Sequence, residues 1–253
     1  MKSYSYIANW KMMRPFAQGI SWAKEHAQDL LKLKNNHNCS LVICVSNQTI
    51  YAIKEQLQNS GVELAAQDCS EFNLGAYTGQ SSALSLGQSG ASHCMVGHSE
   101  ARAYFHQTNE MVCNKLAQVV QNSLTPIVCF GDTAQQHQDG KTLHAITEQL
   151  TPLLQTIAKH GQQKSIAYIA YEPVWAIGSG KIPTGQELNQ IFTHIADLCK
   201  RIIPNISYKL VYGGSVNPET IKDLKAVALL DGFLIGSASL DFQKLENIVS
   251  CTL

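Results

Sequence analysis

The stretch Ser165-Ile166-Ala167-Tyr168-Ile169-Ala170-Tyr171-Glu172-Pro173-Val174-Trp175-Ala176-Ile177-Gly178-Ser179-Gly180-Lys181 decides the fold. Its first part is apolar and β-prone on both faces, so it reads as a buried strand of a covered sheet. Glu172 stands at the C-terminal end of that strand, and Pro173 stops the sheet. The next residues are apolar, yet Gly178 and Gly180 punctuate them. An apolar loop between a carboxylate and a lysine makes sense as a lid, buried only when something lies beneath it. Gln186 to Arg201 then reads as a helix.

Outward from there, the same unit repeats. Strands are expected at Tyr4–Trp10, Leu41–Val45, Val62–Ala66, Cys94–Gly97, Thr125–Cys129, Ser207–Tyr212 and Leu230–Ile235. Helices are expected at Pro15–Leu33, Asn47–Gln58, Asn109–Gln121, Thr142–His160, Pro218–Lys225 and Leu240–Val249. Gly75 to Gly90 reads as a long Gly/Ser-rich loop, either plain surface or an arm that meets a partner. Eight βα units in about 250 residues point to an α/β fold, a closed (β/α)8 barrel. An open doubly wound sheet is the alternative, but no GxGxxG follows the first strand. No Pro- or Ser-rich linker divides the chain, so residues 1–253 read as one barrel domain.

Composition narrows the function. Lysine plus arginine and aspartate plus glutamate each total 19, giving no net charge and no basic stripe for nucleic acid. No apolar run approaches a membrane span, and Met1 to Ala8 lacks a signal-peptide core. The eight cysteines form no CxxC, and Cys44, Cys94 and Cys129 fall within apparent strands, where a thiol packs as a small hydrophobe. A reduced, cytoplasmic protein fits. The nine histidines show no HExxH, so no metal site is expected, nor any cofactor.

In such a barrel the active site lies where strands end. The expected ends carry Asn9-Trp10-Lys11, Gly97-His98-Ser99-Glu100, Glu172, Tyr212-Gly213-Gly214-Ser215 and Ile235-Gly236-Ser237. A lysine, a histidine and a glutamate converge there. A carboxylate can take a proton from carbon next to a carbonyl, an imidazole can polarise that carbonyl, and a lysine can hold an anion. Glycine-rich turns after the last two strands expose N–H groups suited to a phosphate.

At these residues the chain resembles the triosephosphate isomerase family. The resemblance rests on Asn9-Trp10-Lys11-Met12, Gly75-Ala76-Tyr77-Thr78-Gly79, Gly97-His98-Ser99-Glu100, Tyr171 to Lys181, Tyr212-Gly213-Gly214-Ser215-Val216 and Asp231-Gly232-Phe233-Leu234-Ile235-Gly236. It implies interconversion of two triose phosphates, with the family's known pairing of a glutamate base, Glu172, and a neutral histidine, His98. It further implies that Lys11 and Asn9 hold charge and oxygen, and that Glu100 positions Lys11 or relays protons. By the same likeness, backbone N–H groups of Gly178, Ser215, Gly236 and Ser237 seat the phosphate. A lid from Pro173 to Lys181 would be latched by Tyr212 and Ser215 near Ala176 and Gly180. A homodimer through Gly75–Gly79 is implied, with Thr78 beside the neighbour's Lys11.

Departures are informative. Ser237 replaces a glycine, Ser179 a threonine, Pro183 occupies the rear hinge, and Met13 and Arg14 follow the lysine in place of a small or polar pair. Gln80, Ala101 and Gln107 stand where the family has a glutamate, an arginine and a glutamate that meet across the dimer interface. Losing all three leaves no charge stranded, so a dimer with a less charged interface is expected. Cys129 resembles a family cysteine near the site and is expected to serve packing. Two other functions suit the same barrel: an isomerase of a four-carbon sugar phosphate, which needs more room near the lid, and a silent paralogue, which predicts losses among Lys11, His98 and Glu172.

Overall fold

The computed structural model describes residues 2–161 and 166–252. Met1 and Ser165, used above at the N-terminus and at the start of the sixth strand, lie outside the described residues. Eight strands follow one another around the barrel: β1 Ser5–Asn9, β2 Ser40–Val45, β3 Glu63–Ala66, β4 His93–Val96, β5 Thr125–Phe130, β6 Ile166–Tyr171, β7 Ser207–Tyr212 and β8 Gly232–Ile235. All pair in parallel, and β1 closes on β8 from Ser5↔Gly232 to Ala8↔Ile235. Closure removes every exposed edge that an open sheet would present.

The helices are α1 Phe16–His37, α2 Ile50–Leu57, α3 Ala83–Gln88, α4 Ser99–Phe105, α5 Asn109–Gln121, α6 Ala134–Gln138, α7 Thr142–His160, α8 Gly185–Ile202, α9 Ile221–Leu224 and α10 Phe242–Ser250. Several differ from expectation: α1 runs on to His37, α2 begins at Ile50 after a 3-10 turn, and α6 was not expected. The Gly75–Gly90 segment is not all loop: Ser82 caps α3 by accepting from the Ser85 N–H, and Ala83 and Leu86 are buried. The expected Pro218–Lys225 helix shrinks to α9, because Asn217 and Thr220 tie the preceding residues into a side-chain turn. The last helix begins at Phe242, after a separate 3-10 turn, Ser237–Leu240. None of the described helices is long and apolar enough to cross a membrane.

Two apolar layers form the core. One fills the barrel: Ile7, Val42, Cys44, Ala65, Met95, Ile127, Cys129, Tyr168, Ala170, Val211 and Leu234. The other joins strand exteriors such as Tyr6, Ala8, Ile43, Phe130 and Ile169 to the surrounding helices, for example Tyr171 to Phe192, ring edge to face at 6.2 Å. Side chains alternate along each strand. Tyr168 and Ala170 point inward, so Glu172 is next on the inward series, while Tyr171 points out. The same parity carries Ile7 to Asn9, Val211 to Gly213 and Leu234 to Gly236 at the barrel mouth.

The helix after the lid is firmly seated. Thr184 and Glu187 form a reciprocal capping box, and Leu188, Ile191, Phe192, Ile195 and Cys199 make its buried face. Pro183, just before it, is buried.

Candidate active site

Strand parity does not explain His98. Cys94 and Val96 face outward, and continued alternation would send residue 98 the same way. Gly97 breaks the series with φ +74°, a conformation that side chains resist. A Cβ there would meet the Cys129 carbonyl and Val112 at 2.8 Å. Glycine therefore lets β4 turn against β5 and deliver His98 to the mouth. His98 caps α4: its Nδ1 accepts the Glu100 N–H at 3.2 Å. A ring nitrogen that accepts carries no proton, so the imidazole is the neutral tautomer with its proton on Nε2.

That Nε2 lies 3.2 Å from Glu172 Oε1 and 3.3 Å from Asn9 Nδ2. The other Glu172 oxygen accepts the Ser99 N–H at 3.0 Å. Glu172 is 1% exposed. Burial raises its pKa, opposed by His98, the Ser99 N–H and Lys11, with Glu100 adding to the rise. Two glycines make room for it. A Cβ on Gly131 would overlap the Glu172 carbonyl at 1.7 Å, and one on Gly213 would lie 2.9 Å from Glu172 Cγ.

Lys11 holds φ +51°, rare for a residue with a side chain. Its backbone is fixed on both sides: its N–H donates to Asn9 Oδ1 at 2.9 Å, and Gln67 Nε2 donates to its carbonyl at 2.8 Å. Its ammonium lies 2.5 Å from Glu100 Oε1. Strain at a strand end, held by several bonds, is typical of positions where a side chain must point one way.

These groups open onto a cleft of about 690 Å³. Asn9, Lys11, His98, Glu100 and Glu172 line one part; Gly178, Ser215, Gly236 and Ser237 line another. The nine residues expected to act in catalysis or to seat the phosphate thus share one cavity; Tyr212 and Thr78 do not line it. Among the described residues no group of three or more His, Cys, Asp or Glu converges as a metal site would require.

The lid folds as a 3-10 turn, Val174–Ala176, followed by Gly178 and Gly180 in left-handed conformations. Ser215 Oγ donates to the Ala176 carbonyl at 2.7 Å and accepts the Gly180 N–H at 3.1 Å. Tyr212, the other expected latch, makes no hydrogen bond to the lid among the described residues. Its hydroxyl is buried without a partner beside Gly214 and Pro173. Its side chain points away from the barrel axis, and nearby the Ala176 N–H donates to the Pro173 carbonyl at 2.8 Å and the Gly180 N–H to Ser215 Oγ.

Three contributors escaped the sequence reading. Asp132, fully buried, accepts from Tyr171 Oη and Thr142 Oγ1, both at 2.7 Å, and its carbonyl takes the Val174 N–H at 3.0 Å, which anchors the front of the lid. His137 stacks on lid residue Trp175 at 4.3 Å. Gln67 braces Lys11, as above. Asp132 and Gln67 follow β5 and β3, so asking the strand-end question of every strand would have found both. His137 lies on α6 and gave no such signal.

A family model described as Triosephosphate isomerase matches residues 5–252. The chain belongs to the triosephosphate isomerase family. Among curated relatives, Triosephosphate isomerase of Dictyoglomus turgidum is 37% identical, covering 98% of this chain and 99% of the relative. That of Porphyromonas gingivalis is 34% identical, with coverage of 98% and 99%. The crystal structure of triosephosphate isomerase from Bartonella henselae superposes with a TM-score of 0.83 at 26% identity, covering 98% of both chains. Against that family, Cys129 sits in the barrel interior, fully buried, and burial pushes its thiol far above the range in which a cysteine reacts.

Proposed function

We propose that this enzyme interconverts dihydroxyacetone phosphate and D-glyceraldehyde 3-phosphate through an enediol(ate), with Glu172 as base, His98 as neutral electrophile and Lys11 as charge stabiliser. One observation carries the assignment of roles: a buried carboxylate lies 3.2 Å from Nε2 of His98, whose Nδ1 accepts a backbone N–H, at the mouth of a family barrel. Glu172 removes a proton from the carbon beside the carbonyl. The carbonyl oxygen, gaining negative charge, is stabilised by His98 Nε2–H and the Lys11 ammonium. His98 gives its Nε2 proton to that oxygen and takes the proton of the neighbouring hydroxyl, and Glu172 returns its proton to the neighbouring carbon, which exchanges ketose for aldose. Glu100 pairs with Lys11 and sets where its charge rests.

The substrate phosphate sits on the backbone N–H groups of Gly178, Ser215, Gly236 and Ser237. The Pro173–Lys181 lid covers it, excludes water and keeps the enediolate from expelling its phosphate. No cofactor enters these steps. The enzyme works as a cytoplasmic homodimer through the Gly75–Gly79 loop, with Thr78 exposed to reach a partner. Its eight free cysteines, six of them buried, suit a reducing compartment.

A coupled assay with both triose phosphates tests the activity. Glu172→Gln should lower kcat by about 10²–10⁴-fold while leaving the circular-dichroism spectrum unchanged. Near-normal turnover would remove Glu172 as the base. Turnover of a four-carbon sugar phosphate in preference to trioses would favour the sister reaction.

A further inference from the structure

Arg14 plays no part in the mechanism above, yet it is tied into the site's framework. It lies between β1 and α1, three residues after Lys11. Its guanidinium carbon is 4.9 Å from the Trp10 ring and 5.1 Å from the Trp22 ring. Those two indoles meet edge-on, 4.9 Å apart. Cation and rings thus form one packed unit. No carboxylate among the described residues pairs with it; its Nη2 donates to the backbone carbonyl of Leu240.

Leu240 ends the 3-10 turn that begins at Ser237. Gly236 and Ser237, at the other end, line the cleft with Lys11. The approach is close: a Cβ built on Gly236 would lie 3.7 Å from Lys11 Cε. The β1–β8 ladder stops at Ala8↔Ile235, just short of these residues. Beyond the ladder's end, Arg14 joins the two loops. The turn is internally stiff, since both the N–H and the hydroxyl of Ser239 donate to the Gly236 carbonyl, at 2.9 and 2.7 Å. A pull on Leu240 is therefore transmitted to Gly236.

We propose that Arg14 is a positioning residue: it clamps the Ser237–Leu240 turn to the β1 loop, fixing the N–H groups of Gly236 and Ser237 relative to the Lys11 ammonium. In this way it sets affinity for the substrate's phosphate without touching substrate. The inference rests on Gly236 and Ser237 forming part of the phosphate seat. It is specific to a guanidinium, which can lie flat on indole and still present a donor at its edge.

The test is steady-state kinetics with inorganic phosphate as competitive inhibitor. Arg14→Met keeps the apolar contact with the indoles and removes the donor and the charge. It should raise KM and the phosphate Ki together, by about tenfold, while kcat stays within about twofold. KM and Ki both unchanged, with only the melting temperature lowered, would make Arg14 purely structural and overturn the proposal; so would a fall in kcat alone. Should Arg14→Met not fold, Arg14→Gln, polar but too short to reach Leu240, decides by the same criteria. Ser237→Asp separates the underlying assumption: a carboxylate in the seat should abolish phosphate inhibition. If Ser237→Asp leaves that inhibition intact, the seat itself has been misassigned, whatever the Arg14 variants do.

Discussion

At the scale of single residues, Glu172 carries the sharpest consequence. Burial raises its pKa, and the bonds from His98 and Ser99 only partly offset this. The base acts ionised, so activity must fall as pH drops through that raised value. The acid limb of kcat/KM should therefore lie above the ordinary glutamate range, and an inflection at or below that range would contradict it. Stability runs the other way. Below the pKa of the unfolded chain the carboxyl is protonated in both states and costs nothing. Above the folded value the protein bears the full cost of a buried anion. Glu172→Gln should thus raise Tm at neutral pH, by about 2–4 °C for each kcal/mol relieved, and give no gain in acid. A lower Tm at neutral pH would mean that the carboxylate's bonds outweigh its burial.

Alternation along β6 makes Glu172 legible in the sequence, because an inward apolar series that meets a carboxylate at a strand end has few structural uses. The same rule has Tyr212 face outward. It fails at His98, where a left-handed glycine resets the direction, and at Lys11, whose positive φ has no glycine to announce it. Backbone conformation at such points is set by contacts from elsewhere, here Gln67 and Asn9, which a linear reading does not bring together.

At the scale of the element, the lid depends on one hydroxyl. Ser215 Oγ makes two bonds to it, one near each end of the Ala176–Gly180 segment. Ser215→Ala deletes both yet keeps the backbone N–H proposed to bind phosphate. Two bonds of about 0.5–1.5 kcal/mol each would be lost, so kcat/KM should fall by about tenfold. A looser lid should also let more enediolate lose its phosphate, measurable as inorganic phosphate released per isomerisation. Unchanged release would show that other contacts hold the lid; the bond from Val174 to Asp132 and the Trp175–His137 stack are the ones present. The lid's existence was readable from its apolar residues between two glycines. Its anchors were not, since Asp132 and His137 lie about forty residues upstream and meet it only once β5 and β6 pair.

At the scale of the molecule, exposed apolar side chains are unevenly spread. Met12, Met13 and Phe16 follow β1, Tyr51 follows β2, Phe72, Leu74 and Tyr77 follow β3, and Tyr104 and Phe105 follow β4. After the other four strands, among the described residues, only Leu143, Val174 and Leu229 are comparably exposed. Met12 is 93% exposed, and Tyr104 and Phe105 are each 73% exposed, which water does not favour. A second copy covering this half of the rim, as proposed above, would account for the asymmetry. The interface would carry little charge, because Gln80, Ala101 and Gln107 are neutral. The ions that remain near Gln107 pair within the chain: Lys115 Nζ is 2.5 Å from Asp68 Oδ2, which also accepts from Gln107 Nε2 at 2.7 Å. The protein should therefore sediment at twice its chain mass at micromolar concentration, with a dissociation constant that changes by about twofold or less between low and high salt. Tyr104→Asp with Phe105→Asp should yield monomers. Those monomers should turn over more slowly, because Met12 and Met13 directly follow Lys11 and would lose the surface that steadies them. A wild-type monomer with full activity would refute the assembly. A dimer that weakens steeply with salt would keep it but place charged pairs at its centre.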